Sequence, residues 1–150
     1  MLTCIPRSVF WWNFDVEGGA AGTSALTFDF FTERGTINHA GTEYSVCKYG
    51  WLSGQWGLES GGQTHMRAQK LSPLLRKFEI QEGNHIFILR AMPFTRCYDI
   101  LQNDSIIGTI SPAHFLTRRA TIDCRGDLSE LGQLFCFWIA VITWRRAAHK

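Results

Sequence analysis

One apolar segment near the end of the chain, LSELGQLFCFWIAVITW at residues 128–144, constrains the fold more than any other part of the sequence. It has no polar face, and Arg145 and Arg146 follow it directly. A helix that is apolar all round lies either in a membrane or inside a protein core. The rest of the chain is therefore interpreted by asking what surrounds this segment.

The length of the segment favours a protein core. From Leu131 to Trp144 it has 14 residues, which extend about 21 Å as a helix, whereas a spanning helix needs about 20 apolar residues. Gly132 and Gln133 also interrupt it. We therefore predict a core helix over about residues 128–147, with a membrane tail anchor or docking on a partner as alternatives. The residues predicted to form its packed face are Leu131, Leu134, Phe135, Trp138, Ile139 and Ile142.

The chain before this segment consists of short β-prone stretches separated by turns. Breakers such as EGGAAG, GG, GN and ND recur about every 8–12 residues, a spacing typical of all-β sandwiches and barrels. Helical periodicity is absent before residue 128. The pattern predicts strands over about residues 8–125, with FWWNFDV at residues 10–16 as the first of them.

An internal repeat gives the number of strands. Six hydrophobic anchor positions, each at the start of a hairpin, are separated by 21, 21, 22, 20 and 22 residues. The anchors are Val16, Ile37, Leu58, Ile80, Ile100 and Ile122. Six hairpins imply eleven or twelve strands, and a closed sheet of that size needs a filling. We predict one mainly β domain over residues 1–150, an antiparallel barrel of about twelve strands formed by β-hairpin repeats around the hydrophobic C-terminal helix.

Composition and motifs narrow the function classes. The net charge of +2 is too small to attract nucleic acid by bulk electrostatics. The five cysteines are irregularly spaced, which argues against a disulfide scaffold, and none has zinc-ligand spacing. The N-terminus lacks the features of a signal peptide. We therefore expect a cytoplasmic protein without a metal or cofactor and without a catalytic residue.

Most of the chain after residue 35 resembles a known family in pattern. The hairpins FEIQEGNHIFILR and CYDILQNDSIIGTI, and IIGTISPAHFLTRRATID followed by an apolar helix ending in WRR, are similar to the scramblase and LURP-one-related group of the tubby C-terminal-like fold. The resemblance implies a hairpin barrel closed around a hydrophobic helix. It also suggests phosphoinositide contact, as in tubby domains, although their basic pocket has no residue-by-residue match here. The palmitoylation cluster and acidic calcium loop of scramblases are missing, so scrambling activity is not implied.

Basic residues recur at matching positions of successive repeats. Arg76 and Lys77 precede FEI, Arg96 precedes CYD, and Arg118 and Arg119 precede ATI. Matched positions of a hairpin barrel lie at the same rim, so we expect these bases to gather at one end. Each base near an anionic membrane surface contributes about 1 kcal/mol. The predicted head-group ligands are Lys70, Arg76, Lys77, Arg90, Arg96, Arg118 and Arg119.

Apolar loop residues lie beside these bases in the sequence. Phe94, Leu116 and the pair Leu74 and Leu75 are suited to insertion at a membrane interface. We therefore predict a non-enzymatic module that contacts anionic phospholipid or phosphoinositide at the cytosolic membrane face. Two alternatives remain open. One is a structural or protein-binding scaffold, in which the arginines are solubilising edge charges, and the other is a scramblase-like membrane protein anchored by its C-terminal helix.

Overall fold

The computed structural model describes residues 1–50, 52–114 and 116–150, which form twelve strands and one helix. The first six strands are β1 (Leu2–Pro6), β2 (Phe14–Gly19), β3 (Gly22–Phe28), β4 (Gly35–His39), β5 (Thr42–Lys48) and β6 (Gln55–Ser60). The next six are β7 (Gln63–Lys70), β8 (Lys77–Glu82), β9 (His85–Ala91), β10 (Tyr98–Gln102), β11 (Ser105–Pro112) and β12 (Ala120–Cys124). The helix α1 (Glu130–Ala148) follows them.

The twelve strands form a closed antiparallel barrel around α1, which confirms the predicted fold. Each strand pairs with its neighbours in the sequence, and β1 pairs with β12 to complete the circle. Leu2 is opposite Ile122 and Cys4 is opposite Ala120 in this closing pair. The last hairpin unit is thus assembled from strands that lie more than one hundred residues apart.

The prediction that strands begin near residue 8 was wrong. The first strand is Leu2–Pro6, while Phe10 and Trp11 lie in the connection before β2. Aromatic residues are common in strands because they fit a half-buried pleated surface, not because they dictate an extended backbone. Here the ring of Trp11 packs edge-to-face on Phe30 of another connection, with 5.1 Å between the ring centroids.

The predicted repeat corresponds to the even-numbered strands. All six anchors are at most 2% exposed and belong to β2, β4, β6, β8, β10 and β12. Inward-facing residues alternate with outward-facing ones along a strand. The repeat of about 21 residues is therefore the length of one hairpin together with its connection to the next.

The helix fills the barrel. Ser129 is its N-cap, and the side chain of Ser129 accepts a hydrogen bond from the amide of Gly132. Residues 132–144 are buried without interruption. Five of the six predicted core positions are at most 1% exposed, and the sixth, Leu131, is half-buried against the same core. No helix in the described part of the chain has the length and apolar character needed to cross a bilayer.

A glycine in the barrel wall permits close packing of the helix. Trp138 of α1 stacks on Phe28, with ring centroids 3.7 Å apart. A Cβ atom at Gly35 would lie 2.5 Å from the Trp138 ring and 2.1 Å from the carbonyl oxygen of Thr27. Any side chain at position 35 would therefore displace the Trp138 ring or distort the pairing of β3 with β4.

The two ends of the barrel differ in construction. Five hairpins have two-residue turns, and these turns lie at the end where α1 begins, which we call the turn end. The six longer connections lie at the opposite end together with the C-terminus of α1, and we call this the loop end. The longer connections span residues 7–13, 29–34, 49–54, 71–76, 92–97 and 113–119.

Candidate functional site

Exposed apolar side chains are concentrated at the loop end. Of the fifteen large hydrophobic residues that are exposed among the described residues, twelve lie in the six long connections, and every connection contributes at least one. Phe94 is fully exposed, Leu74 is 90% exposed and Leu116 is 79% exposed. Exposed apolar side chains are a feature of interaction surfaces, so the loop end is the candidate functional site.

Basic residues are concentrated at the same end. We count as the loop end the long connections, the two strand residues on each side of them, and residues 145–150. Thirteen of the fifteen Lys and Arg residues lie there, and the other two are Arg67 and Arg125. The thirteen are Arg7, Arg34, Lys48, Lys70, Arg76, Lys77, Arg90, Arg96, Arg118, Arg119, Arg145, Arg146 and Lys150.

Acidic residues show the opposite distribution. Only four of them lie at the loop end, namely Asp15, Asp29, Glu33 and Asp99. Six acids, accompanied by the single base Arg125, lie in the turns, the two strand residues on each side of them, and the segment 125–130. The charges thus complement the helix macrodipole, because acids stabilise a helix N-terminus and bases a helix C-terminus. The whole molecule has a positive end and a negative end.

All seven bases predicted as head-group ligands lie at the loop end, but their side chains differ in availability. In the described part of the chain, Lys77 and Arg119 make no side-chain hydrogen bond or ion pair. Arg90 forms an ion pair with the buried carboxylate of Asp99 at 3.4 Å. Arg76 donates a long hydrogen bond of 3.4 Å to the carbonyl oxygen of Thr95.

Arg118 stabilises the first connection. Its guanidinium lies 3.9 Å from the centroid of the Trp12 ring and donates a hydrogen bond to the carbonyl oxygen of Trp11. Partial burial lowers the pKa of Arg118 because it disfavours the charged form. The neighbouring Arg119 is exposed. Two adjacent arginines therefore have different roles, since Arg118 supports the fold and Arg119 faces solvent.

Arg96 joins a connection to the helix. Its guanidinium donates hydrogen bonds to the carbonyl oxygens of Thr117 and His114 and lies 5.8 Å from the ring centroid of Trp144. The carbonyl oxygen of Arg96 accepts a hydrogen bond of 3.1 Å from the Trp144 indole. Arg96 therefore fixes the last buried turn of α1 to two connections.

A cluster of charges around the end of α1 was not predicted from the sequence. Arg146 binds both carboxylate oxygens of Glu33, which also accepts a hydrogen bond of 2.7 Å from Lys48. Burial alone would raise the pKa of Glu33, but the bonds from Arg146 and Lys48 outweigh it and hold that pKa below its ordinary value. Burial and the positive charge of Arg146 lower the pKa of Lys70.

One cavity of the loop end lies between the connections 71–76 and 92–97. It has a volume of about 650 Å³ and combines apolar and basic walls. Its basic wall is formed by Arg76, Lys77 and Arg90, and its apolar wall includes Leu74, Leu75 and Met92. The cavity thus brings together three predicted head-group ligands and a predicted apolar tip.

The described residues offer little for covalent or metal chemistry. No group of three His, Cys, Asp or Glu side chains among them is placed to hold a metal ion. Burial raises the pKa of the thiols of Cys4 and Cys136, which keeps both neutral. Burial and the Glu59 carboxylate raise the pKa of Cys47. A neutral thiol is a poor nucleophile, so these cysteines are suited to packing.

Comparison of the chain with protein family models, with curated proteins and with solved structures gave no match. The loop end is therefore interpreted from its own geometry and charge.

Proposed function

We propose that the protein is a non-enzymatic membrane-contact module whose loop end lies against anionic phospholipid at the cytosolic face of a membrane. One observation supports this most strongly. The same end of the barrel collects twelve exposed hydrophobic side chains and thirteen of the fifteen bases. Bases attract an anionic surface at about 1 kcal/mol each, and apolar loop tips insert at the interface.

The proposed orientation follows from this asymmetry. All six long connections lie at one end, so the barrel axis stands steeply on the membrane and the acidic turn end points away from it. The cavity bordered by Arg76, Lys77 and Arg90 is the proposed contact for a lipid phosphate. The proposed relation to the tubby C-terminal-like group agrees with a lipid-binding role, and it rests on the sequence resemblance described above.

Vesicle flotation tests the proposal. We expect binding to vesicles that contain phosphatidylserine or a phosphoinositide, weaker binding to phosphatidylcholine alone, and loss of the difference as salt rises, because about 0.1 M salt screens charges beyond about 10 Å. The double variant Lys77→Glu with Arg119→Glu removes two bases whose side chains make no hydrogen bond or ion pair with the described residues. It should abolish the preference for anionic vesicles at low salt.

The matched control changes the same number of charges elsewhere. Arg67→Glu with Arg125→Glu alters the only two bases outside the loop end. This control should bind anionic vesicles like the unchanged protein. Equal loss in both double variants would show that net charge alone drives binding and would refute a specific loop-end contact. Absence of binding at low salt would favour a protein-binding scaffold, in which the apolar loops contact another protein.

A further inference from the structure

A second cavity at the loop end has a different chemical character. It lies where the connection 7–13 meets the connection 29–34 and has a volume of about 130 Å³. Aromatic side chains form most of its wall, and the polar residues Asn13, Asp29, Arg145 and His149 complete it. Its lining includes Phe10, Trp11, Trp12, Asp29, Phe30 and Arg145.

The aromatic rings meet at steep angles and are partly open to solvent. The planes of Trp11 and Phe30 are inclined at 64° with centroids 5.1 Å apart, so the two rings form a corner. Phe30 in turn contacts Phe31 at an angle of 83°. Trp11 is 49% exposed and Phe30 is 62% exposed. The exposed faces of such rings are electron-rich and attract cations.

One cation of the protein already uses a ring of this cavity. The guanidinium of Arg118 lies 3.9 Å from the centroid of Trp12. This stacking occupies Trp12 and shows that the local environment favours a positive charge on an indole face. The corner formed by Trp11 and Phe30 has no such cation among the described residues.

An acidic residue, Asp29, lines the same cavity and directly precedes Phe30 in the chain. Asp29 accepts hydrogen bonds from the backbone amides of Phe31 and Thr32, and these bonds lower its pKa and keep it ionised. Arg145 donates hydrogen bonds to the carbonyl oxygens of Asp29 and Thr32 and lines the same cavity. The cavity therefore presents a negative group for a ligand cation and a positive group for an anion attached to that ligand.

We propose that this cavity binds a quaternary ammonium group, and that its occupant is the choline head group of a phospholipid. Aromatic corners closed by a carboxylate are suited to such cations, which lose little hydration on entering. A volume of about 130 Å³ accommodates a trimethylammonium group, and the attached phosphate would face Arg145. The choice of a lipid as occupant rests on the proposed membrane contact, whereas recognition of the quaternary ammonium does not.

Titration with soluble phosphocholine tests the cavity without any membrane. The probe is the set of tryptophan indole N–H resonances in NMR spectra of the whole chain. We expect saturable shifts with phosphocholine and with choline, and weaker binding of ethanolamine. The neutral isostere 3,3-dimethyl-1-butanol should bind at least about tenfold more weakly than choline, because it lacks the charge that the ring faces attract. Equal binding of the isostere would overturn the proposal.

Two variants locate the site. Phe30→Leu keeps an apolar side chain but removes a ring face, and it should weaken choline binding by about 3- to 30-fold. Asp29→Asn should weaken it as well, while its amide oxygen can still accept the two backbone hydrogen bonds. Phe94→Leu removes an exposed ring from another connection and should leave choline binding unchanged. Unchanged affinity in both Phe30→Leu and Asp29→Asn would refute this location.

Vesicles identify the source of the ligand. Among vesicles without net charge, those rich in phosphatidylcholine should bind the protein more tightly than those rich in phosphatidylethanolamine. Phe30→Leu should abolish this difference in binding. A trimethyllysine peptide that binds the cavity while phosphatidylcholine vesicles fail to compete would overturn the lipid assignment. If choline fails to bind but anionic vesicles still do, the cavity proposal is refuted and the anionic contact stands. If choline binds but anionic vesicles do not, only the proposed anionic contact is refuted.

Discussion

Arg146, in the last turn of the helix, binds the carboxylate of Glu33 with two nitrogen atoms across 113 positions of sequence. Glu33 precedes β4 in the connection 29–34, and its side chain is 15% exposed. The pair fixes the end of α1 to the barrel at the loop end. It also neutralises one of the bases of the loop end.

Removing the negative charge of Glu33 should destabilise the fold. Glu33→Gln keeps the shape of the side chain but leaves Arg146 and Lys48 without their carboxylate partner. We expect a loss of about 2 kcal/mol in the free energy of unfolding, since hydrogen bonds to charged groups contribute about 1.5–3 kcal/mol. Urea unfolding at pH 7 measures it. Glu43→Gln changes an exposed carboxylate of the turn end and should cost nothing measurable.

The same pair predicts a pH dependence. The folded state holds the pKa of Glu33 below its ordinary value, so the unfolded chain takes up its proton first as pH falls. The stabilisation is therefore fully present above about pH 5 and is lost as pH falls through the folded pKa. The stability difference between the unchanged protein and Glu33→Gln should shrink between about pH 5 and pH 3. A difference that stays constant over this range would contradict the linkage.

A methyl group at Gly35 should disturb the packing of the helix. Its Cβ atom would lie 2.5 Å from the Trp138 ring, and overpacking of this kind costs about 1–3 kcal/mol. Gly35→Ala should therefore lower the denaturation midpoint. Trp138→Phe removes the part of the ring that Gly35 faces, so the double variant should lose less stability than the two single variants together. Simple additivity would mean that the carbonyl oxygen of Thr27 is the main obstacle.

Arg118 and Arg119 should respond differently to substitution. Arg118→Ala removes a stacking contact with Trp12 and a hydrogen bond to Trp11, and we expect it to cost about 1 kcal/mol of stability. Arg119→Ala should leave stability unchanged and weaken binding to anionic vesicles at low salt. Thermal unfolding and flotation of both variants separate the two roles. Equal stability of the two variants would refute the structural role of Arg118.

The apolar loop tips should control binding that persists at high salt. Leu74→Ser with Leu75→Ser removes two side chains that are 90% and 61% exposed, so the fold should be unaffected. We expect this double variant to float with anionic vesicles at low salt but to dissociate at about 0.5 M salt, where screening leaves mainly the apolar contribution. The control Ile86→Ser with Ile106→Ser changes two exposed residues near the turn end and should behave like the unchanged protein.

The fold could be predicted from the sequence because the hydrophobic pattern of its hairpins is local and periodic. Each anchor, from Val16 to Ile122, is a buried residue of an even-numbered strand, and every two-residue turn contains or directly adjoins a residue with positive φ. The helix could be assigned to the core because its apolar stretch is short. The strand Leu2–Pro6 was missed because its only repeat-like feature is its pairing with β12, a partner more than one hundred residues away.

The site could be predicted only in part, because most of its contacts join residues that are distant in sequence. The matched positions of Arg76, Arg96 and Arg119 in successive repeats predicted that they share one rim, and the structure places them at the loop end. The contacts of each base depend on residues that are distant in sequence, as in the pairing of Arg146 with Glu33. The aromatic corner likewise joins Trp11 to Phe30, and no local pattern links these two positions.

The closing pair of strands has a consequence for synthesis. A ribosome produces β1 first, but its partner β12 and the helix that all the hairpins pack upon emerge last. Until then, the inward faces of the nascent hairpins have no apolar surface to cover them, and both edges of the growing sheet stay unpaired. We therefore expect cooperative folding to wait until α1 has left the exit tunnel, with the hairpins exposed to aggregation for longer than in a protein whose core forms early.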